Sequence, residues 1–217
     1  MPYSWLYNRF ERLTTACHPC SIAQKVCFSD FRLLWLPATI DPMALIHSFP
    51  AAANPDAHTL ILGSMPGDAS LRAGEYYANP RNHFWKILGA LVGAGPELPY
   101  PSRLERLTGA GFALWDVLRS CERQGSLDSS IISSTITPND FATFLAAHPG
   151  VQRIFFNGTA AETAFRRFVI PALPTLRCSL HRMPSTSPAN ARFTLKHHLE
   201  AWQILTVPDS APQCSRT

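Results

Sequence analysis

The stretch His58-Thr-Leu-Ile-Leu62 is a short apolar run closed by Gly63, and this pattern predicts a buried β-strand. Working outward from it, the same kind of run recurs three times along the chain. The further predicted strands cover residues 112–115, 153–156 and 175–179. Four short apolar strands of this kind are typical of a sheet that is buried inside a domain.

Helical patterns separate the predicted strands. A helix is predicted over residues 84–92, and a second begins after the N-cap and first-turn proline of Thr137-Pro138 and ends near residue 148. A third begins at Gly158-Thr159 and ends near residue 168, and Ser187-Pro188 is predicted to cap a last one. Strands that alternate with helices predict an α/β fold whose parallel sheet is covered on both faces.

The composition suits one folded domain that is not exported. The 217 residues are 46% hydrophobic and 16% charged, which supplies enough apolar side chains for a core. The sequence has no apolar run of about 18 residues, as a membrane span requires. Arg9, Glu11 and Arg12 interrupt the region where a signal peptide needs an apolar segment, and the six cysteines are too scattered for a disulfide framework. We predict a cytoplasmic protein with reduced thiols and no membrane association.

The net charge of +4 comes from a basic set in which 16 of 19 residues are Arg. Arg pairs bidentately with phosphate and stacks on bases, so this bias fits a nucleic-acid partner. An Arg-rich genome gives the same bias without such a partner. The composition alone therefore leaves both explanations open.

The two ends of the chain differ from the rest. Residues 1–42 hold three of the six cysteines, lack a sustained helical or strand period, and stop just before Met43, an internal candidate start. We predict that residues 1–42 are a flexible or mis-assigned extension. The folded domain is then expected to cover residues 43–206, and residues 207–217 are expected to be disordered.

Residues with chemical potential follow the predicted strands, where ligands bind in parallel sheets. The glycine turn (residues 63–67) lets backbone amides approach a ligand, or is only a tight connection. The aromatic loop (residues 76–85) offers a stacking surface for a base, or anchors the core. Asn157 is either a base-binding amide or a helix N-cap, and the Ser-Pro loop (residues 184–190) offers hydroxyl and N–H groups to phosphate.

Taken together, these motifs resemble the hypoxanthine-DNA glycosylase branch of the uracil-DNA glycosylase superfamily. The motifs are Gly63-Ser-Met-Pro-Gly67, Tyr76-Tyr77-x-x-Pro80-x-Asn82-x-Phe84-Trp85, Trp115-Asp116-Val117, Phe156-Asn157-Gly158 and Pro184-Ser-Thr-Ser-Pro-Ala-Asn190. They occur in the family's order over residues 46–205, and their joint match is specific although each motif alone is not. The resemblance implies a three-layer α/β/α sandwich with a short, central, mostly parallel four-stranded sheet. It also implies an enzyme that acts on deaminated bases flipped out of DNA.

The resemblance leaves the usual position of the catalytic residue without a suitable side chain. Superfamily members that process uracil fastest have an Asp at the third position of the glycine turn, and the mismatch-specific branch has an Asn there. In this chain the position is Met65, whose thioether neither accepts a proton usefully nor holds water firmly. The hypoxanthine branch uses an Asn of the aromatic loop, which implies that Asn82 positions the attacking water. Asp68 is the second candidate.

The remaining predicted site residues contact the base or the DNA. By resemblance, Phe84 stacks on the flipped base and Tyr77 shapes the pocket wall. Asn157 is the candidate for base recognition, because one carboxamide complements the lactam edge of hypoxanthine or uracil and mismatches the amino edge of adenine or cytosine. The turn residues predicted to contact the base are Gly63, Ser64, Met65, Pro66 and Gly67. The residues predicted to contact DNA are Arg81, Ser185, Thr186, Ser187, Pro188, Ala189, Asn190 and Arg192.

We therefore expect a monomeric, monofunctional glycosylase without a cofactor. Its expected substrates are hypoxanthine, uracil or xanthine in double- or single-stranded DNA. No Schiff-base lysine accompanies the motifs, since Lys86 lies on a predicted core helix. An iron–sulfur cluster that uses Cys17 and Cys20 is disfavoured, because the other cysteines have no recognisable cluster spacing.

Two alternative functions remain at the level of sequence. One is a DNA-damage binding module that keeps the pocket without catalysis. The other is a serine hydrolase with Ser64 or Ser187 as nucleophile and His181 or His198 as base, although the chain lacks a G-x-S-x-G nucleophile motif.

Overall fold

A parallel β-sheet of four strands forms the centre of the fold. The computed structural model describes residues 45–173, 175–190 and 192–207. The strands are β1 Leu45–His47, β2 Thr59–Gly63, β3 Phe112–Asp116, β4 Leu118–Glu122, β5 Thr137–Pro138, β6 Arg153–Asn157 and β7 Ser179–Met183. The helices are α1 Asp68–Ala73, α2 Phe84–Val92, α3 Tyr100–Gly109, α4 Phe141–Ala147, α5 Thr159–Ala164 and α6 Leu195–Trp202. The central sheet has the order β3-β2-β6-β7 with parallel neighbours, and β1, β4 and β5 form a small antiparallel sheet.

Strand β2 is buried along its whole length, because helices cover both faces of the sheet. Leu60 and Leu62 belong to one core cluster, which includes Phe141 of α4. Ile61 points to the opposite face and belongs to a second cluster, which includes Trp202 of α6. The alternation follows from the two-residue period of a strand. The predicted three-layer α/β/α architecture is confirmed.

The interior elements lie where the sequence predicts them. Strands β2, β3 and β6 match the predicted runs to within one residue, and α2 has the predicted bounds. Helix α5 is followed by a π-helical turn, Phe165–Val169, so the predicted helix extends over both elements. The predicted extension (1–42), residue Met43 and the predicted tail beyond Val207 lie outside the described residues.

The last predicted strand and two predicted helix caps are wrong. The fourth strand is β7, Ser179–Met183, instead of 175–179. It is an edge strand and is partly exposed. Because it contains polar residues, a search for apolar runs does not detect it. Thr137-Pro138 forms β5 beside β4, and Asp140 caps α4 by accepting a hydrogen bond from the Thr143 amide.

Helix α6 begins later than the Ser187-Pro188 signal predicts. Thr194 caps it by accepting the His197 amide in a capping box. The Ser-Pro loop instead bonds to itself, with the Asn190 side chain donating to the Ser185 carbonyl at 3.0 Å. Local side-chain bonds of this kind compete with helix formation. Helices α1 and α3 and strands β1 and β4 are further elements, which the sequence pattern does not predict.

A buried arginine joins the start of the sheet to the end of the described chain. Arg153 is 7% exposed and lies opposite Thr59 in the β2–β6 register. Its guanidinium donates to Thr59 Oγ1 at 3.2 Å, to the Leu205 carbonyl at 2.9 Å and to the Val207 carbonyl at 2.7 Å. Backbone carbonyls and a hydroxyl therefore satisfy a charge that would be costly to bury alone.

Replacing Arg153 with Met should lower the free energy of unfolding by ~2–4 kcal/mol, because the buried Leu205 carbonyl, the Val207 carbonyl and the Thr59 hydroxyl lose a charged donor. Urea unfolding followed by circular dichroism measures this loss. Arg119→Met on β4, where the side chain is exposed, is the matched control. A loss for Arg153→Met no larger than for the control would contradict the anchoring role.

Candidate active site

A cavity of about 420 Å³ opens at the carboxyl ends of β2, β3 and β6. Its volume lies in the range of small-molecule binding sites. Most of the predicted site residues line it: Gly63, Ser64, Met65, Pro66, Gly67, Tyr77, Arg81, Asn82, Asn157, Ser185, Ser187, Pro188 and Ala189. Residues from four separate segments of the sequence thus meet at the carboxyl ends of the strands, where ligands bind in this class of fold.

The glycine turn is held in place from several directions. A Cβ on Gly63 would overlap the Asp116 carboxylate, so glycine at this position leaves room for that carboxylate beside the end of β2. Ser64 Oγ donates to Asp128 Oδ1 at 2.7 Å. Buried Arg123 donates from Nη2 to the Pro66 carbonyl at 2.6 Å. These bonds fix the backbone whose N–H groups are the predicted contacts to the base.

Asn82 lies half-buried in the cavity wall, just before α2. Its Oδ1 accepts a hydrogen bond from the Phe84 amide at 3.0 Å, which fixes the orientation of the carboxamide. An amide oxygen has two lone pairs, so this bond leaves one lone pair and the whole NH₂ group for other partners. Asn82 therefore has both a fixed position and spare hydrogen-bonding capacity.

Tyr77, rather than Phe84, forms the aromatic wall of the cavity. Phe84 is fully buried, and the Tyr77 ring stacks on it with centroids 3.9 Å apart and planes inclined by 21°. Tyr77 has φ +54°, a left-handed conformation that is uncommon for a bulky residue. The prediction that Phe84 stacks directly on the base does not match this arrangement, because Tyr77 covers the ring.

Asn157 at the end of β6 is tied to Thr186 by two hydrogen bonds. Its Oδ1 accepts the Thr186 amide at 2.8 Å, and its Nδ2 donates to Thr186 Oγ1 at 2.9 Å. Gly158 permits this approach, since it has φ +99° and a Cβ there would lie 2.7 Å from Ser185 Cβ. A backbone amide can only donate, so it determines which end of the Asn157 side chain faces Thr186.

Not every predicted DNA contact lies at the surface. Thr186 is only 1% exposed, so its side chain supports Asn157 and is not placed to contact DNA. Asn190 also lies outside the cavity lining and braces the loop through Ser185. Arg81, Pro188, Ala189 and Arg192 are exposed near this end of the molecule.

Asp116, the last residue of β3, is a site residue to which sequence reasoning assigned no role. The signal was an acid at the end of an apolar strand within the Trp115-Asp116-Val117 motif. Asp116 is 3% exposed and lines the cavity, and its Oδ2 has no hydrogen-bond partner among the described residues. Burial raises the pKa of Asp116 to about 8, the neighbouring Asp128 adds to the increase and Arg123 opposes it. Partial desolvation raises the pKa of Asp128 as well, while the hydrogen bond from Ser64 and the charge of Arg123 lower it.

The described residues do not form the predicted Ser–His pairs or a metal cluster. Ser64 bonds to Asp128, and His181 contacts Ser179 Oγ at 3.0 Å on β7. No group of three His, Cys, Asp or Glu residues able to hold a metal occurs in the described ranges. The Cys17 and Cys20 pair lies outside those ranges. Over the same ranges, no helix is both long and apolar enough to span a bilayer.

Comparisons with known proteins agree with this architecture. Residues 50–206 match the family described as the uracil DNA glycosylase superfamily. A hypoxanthine DNA glycosylase from Methanosarcina acetivorans is 35% identical over 72% of this chain and 95% of its own length. One from Methanosarcina barkeri is 33% identical over 71% of this chain and 93% of its own length. A solution NMR structure from M. acetivorans, described as a uracil DNA glycosylase, has a TM-score of 0.61 and 32% identity, covering 75% of this chain and 99% of that one.

The chain therefore belongs to the uracil-DNA glycosylase superfamily, whose members are DNA glycosylases. Within it, the two Methanosarcina relatives support the predicted hypoxanthine-DNA glycosylase branch. The prediction of a DNA repair enzyme of this class is confirmed.

The raised pKa of Asp116 should make the stability of the fold depend on pH. Between the ordinary value of 3.8 and about 8, the folded protein keeps a proton that the unfolded chain releases. The free energy of unfolding should therefore fall as pH rises through this window, by up to about 1.4 kcal/mol per pH unit. Asp116→Asn should remove this component, and urea unfolding at several pH values measures it.

The matched control is Asp56→Asn, which removes an exposed carboxylate outside the cavity lining. Asp56→Asn should keep the pH dependence of the wild type. If the wild type and Asp116→Asn lose stability equally between about pH 5 and pH 8, Asp116 does not hold the proton.

Proposed function

We propose that this enzyme hydrolyses the N-glycosidic bond of hypoxanthine in DNA, with uracil and xanthine as further candidate bases of the same lactam type. The observation that carries the proposal is the joint lining of one cavity by the glycine turn, Asn82 and Asn157. The names of the two Methanosarcina relatives support hypoxanthine as the first substrate to test. Cytoplasmic localisation, a monomeric state and a monofunctional reaction remain predictions from the sequence.

The proposed reaction needs little general-base strength. Cleavage through an oxocarbenium-like sugar requires an oriented water and stabilisation of the charge that develops on the base. Asn82 orients the water through the lone pair that the Phe84 amide leaves free. Backbone N–H groups of the glycine turn stabilise the base oxygen as it becomes negative, in the manner of an oxyanion hole. Met65, which is 7% exposed, packs into the wall of the cavity.

Asn157 selects the base through its fixed orientation. A freely rotating carboxamide pairs with a lactam edge in one orientation and with an amino edge in the other. The Thr186 amide removes this ambiguity, because flipping Asn157 would place two N–H donors against each other. The remaining N–H and lone pair of Asn157 then meet the base in a constant order, and a mismatched base would leave buried polar groups unpaired.

The Ser-Pro loop and two exposed arginines form the proposed DNA interface. Exposed Pro188 and Ala189 are suited to insertion between bases, which helps to extrude the damaged nucleotide. Arg81 and Arg192 supply positive charge for phosphates. Lys196 is also exposed, although Glu200 lies 4.0 Å away and offsets its charge. Arg182 is less suitable, because Glu162 lies 3.5 Å from its guanidinium.

Asn82→Ala should reduce excision of hypoxanthine by roughly 10²- to 10⁴-fold, since the water loses its orienting group. Single-turnover assays on a deoxyinosine duplex, with alkaline cleavage of the abasic product, measure this rate. Asn54→Ala, which alters an amide outside the cavity lining, is the control. A near-normal rate for Asn82→Ala removes Asn82 from the mechanism. Wild-type binding without strand breaks favours the binding module.

Arg81→Ala and Arg192→Ala should each weaken DNA binding and lower the slope of log affinity against log salt by about 1, since each removes one phosphate contact. Fluorescence anisotropy over a range of salt concentrations measures the slope. Arg177→Ala is the control, because this exposed residue precedes β7 at the opposite end of the sheet. Equal slopes for all three variants would argue against phosphate contacts at Arg81 and Arg192.

A further inference from the structure

We propose that Asp116 is a catalytic residue that acts as a neutral carboxylic acid and donates its proton to the departing base. This inference rests on the proposed glycosylase reaction, and it adds a group on the side of the leaving base. Asn82 then orients the water and the glycine turn binds the base oxygen. Asp116 protonates a second atom of the base.

The position of Asp116 carries the inference. Asp116 lines the cavity, and its carboxyl group lies beside Gly63, the last residue of β2, with which Asp116 is in register. One oxygen, Oδ2, is buried and without a hydrogen-bond partner among the described residues. Buried polar atoms nearly always have partners, and leaving one without a partner costs about 1–3 kcal/mol. The Asp116 residue lines the ligand cavity, and the substrate supplies the partner that this oxygen lacks.

The surroundings keep this carboxyl group protonated at neutral pH. Burial is the main cause of its raised pKa, Asp128 also disfavours its ionisation, and Arg123 favours it. The hydroxyls of Tyr76 and Tyr77 interact with it electrostatically. Arg123 opposes the effect only partly, because its guanidinium donates to the Pro66 and Gly125 carbonyls at 2.6 Å. With a pKa of about 8, Asp116 is mostly a hydrogen-bond donor at pH 7.

The proton balance of the step is simple. The bond between the base nitrogen and C1′ of the sugar breaks, and its electron pair goes to the base. Asp116 gives its proton to a ring nitrogen of the base, so the base leaves as a neutral molecule. The water held by Asn82 adds to C1′ and releases a proton to solvent, and Asp116 regains a proton from solvent. An acid whose pKa lies near the working pH is suited to this role.

The test is the pH profile of single-turnover excision on a deoxyinosine duplex. For the wild type, the rate should fall about tenfold per pH unit above about pH 8, as Asp116 loses its proton. Asp116→Asn should be slower at about pH 6 and should lack this alkaline fall. Asp116→Ala should lose about 10²-fold or more at the same pH. Asp56→Asn, with its exposed position, should behave as the wild type.

Three results would overturn the inference. The first is an alkaline fall that persists in Asp116→Asn, since ionisation of the base itself or of another group then causes it. The second is a wild-type rate that rises up to about pH 9, as expected for a carboxylate that acts as a base. The third is an Asp116→Ala rate equal to that of the wild type.

Two further measurements separate misfolding and failure of the proposed function from failure of this inference. Affinity for a duplex with a non-cleavable 2′-fluoro analogue of deoxyinosine should change only a few-fold in Asp116→Asn, which shows that the folded site is retained. If the wild type releases no hypoxanthine, the proposed function itself is wrong. If the wild type releases hypoxanthine and the variants keep its pH profile, only the role of Asp116 is wrong.

Discussion

The parallel pairing of β2 with both β3 and β6 is the constraint on which the site depends. Parallel strands end at the same edge of a sheet, so residues distant in the sequence come together there. In this protein the pairing brings Gly63 opposite Asp116 and places Asn157 one strand away. Burial of β2 on both faces holds the arrangement, since each fully buried Leu or Ile contributes roughly 1.5–3 kcal/mol.

The sequence predicts the inside of this fold better than its edges. Buried strands such as β2 and β6 are apolar throughout, so a short run identifies them. Strand β7 has a solvent-facing side and carries His181 and Arg182, and its pattern therefore lacks the apolar signal. The start of α6 was misplaced for a different reason. The Ser187-Pro188 pair is a helix signal in isolation, but the hydrogen bonds within its own loop satisfy the same groups without a helix.

The site divides in the same way. The glycine turn, Asn82 and Asn157 could be identified because they stand in recognisable motifs behind strands. That Tyr77 covers Phe84 at the cavity wall could not be predicted. The arrangement includes a positive φ at Tyr77, which no local sequence pattern indicates. The role of Asp116 in the site was not predicted, because an acid at a strand end normally faces water. Its carboxyl group lies instead against Gly63, which belongs to a distant part of the chain.

The bonds between the glycine turn and the segment around residues 123–128 have a consequence for the thermodynamics of binding. Ser64 to Asp128, the Asp68 amide to Ser126, and Arg123 to Pro66 each span between 57 and 64 residues of sequence. They immobilise the turn when the protein folds, so its conformational entropy is already lost before a ligand arrives. Ligand binding then carries no further entropic cost for ordering this backbone. A preorganised pocket of this kind changes little on binding. Its affinity therefore depends on how well the shape and the hydrogen-bonding groups of the ligand match it, and little is lost in ordering the protein.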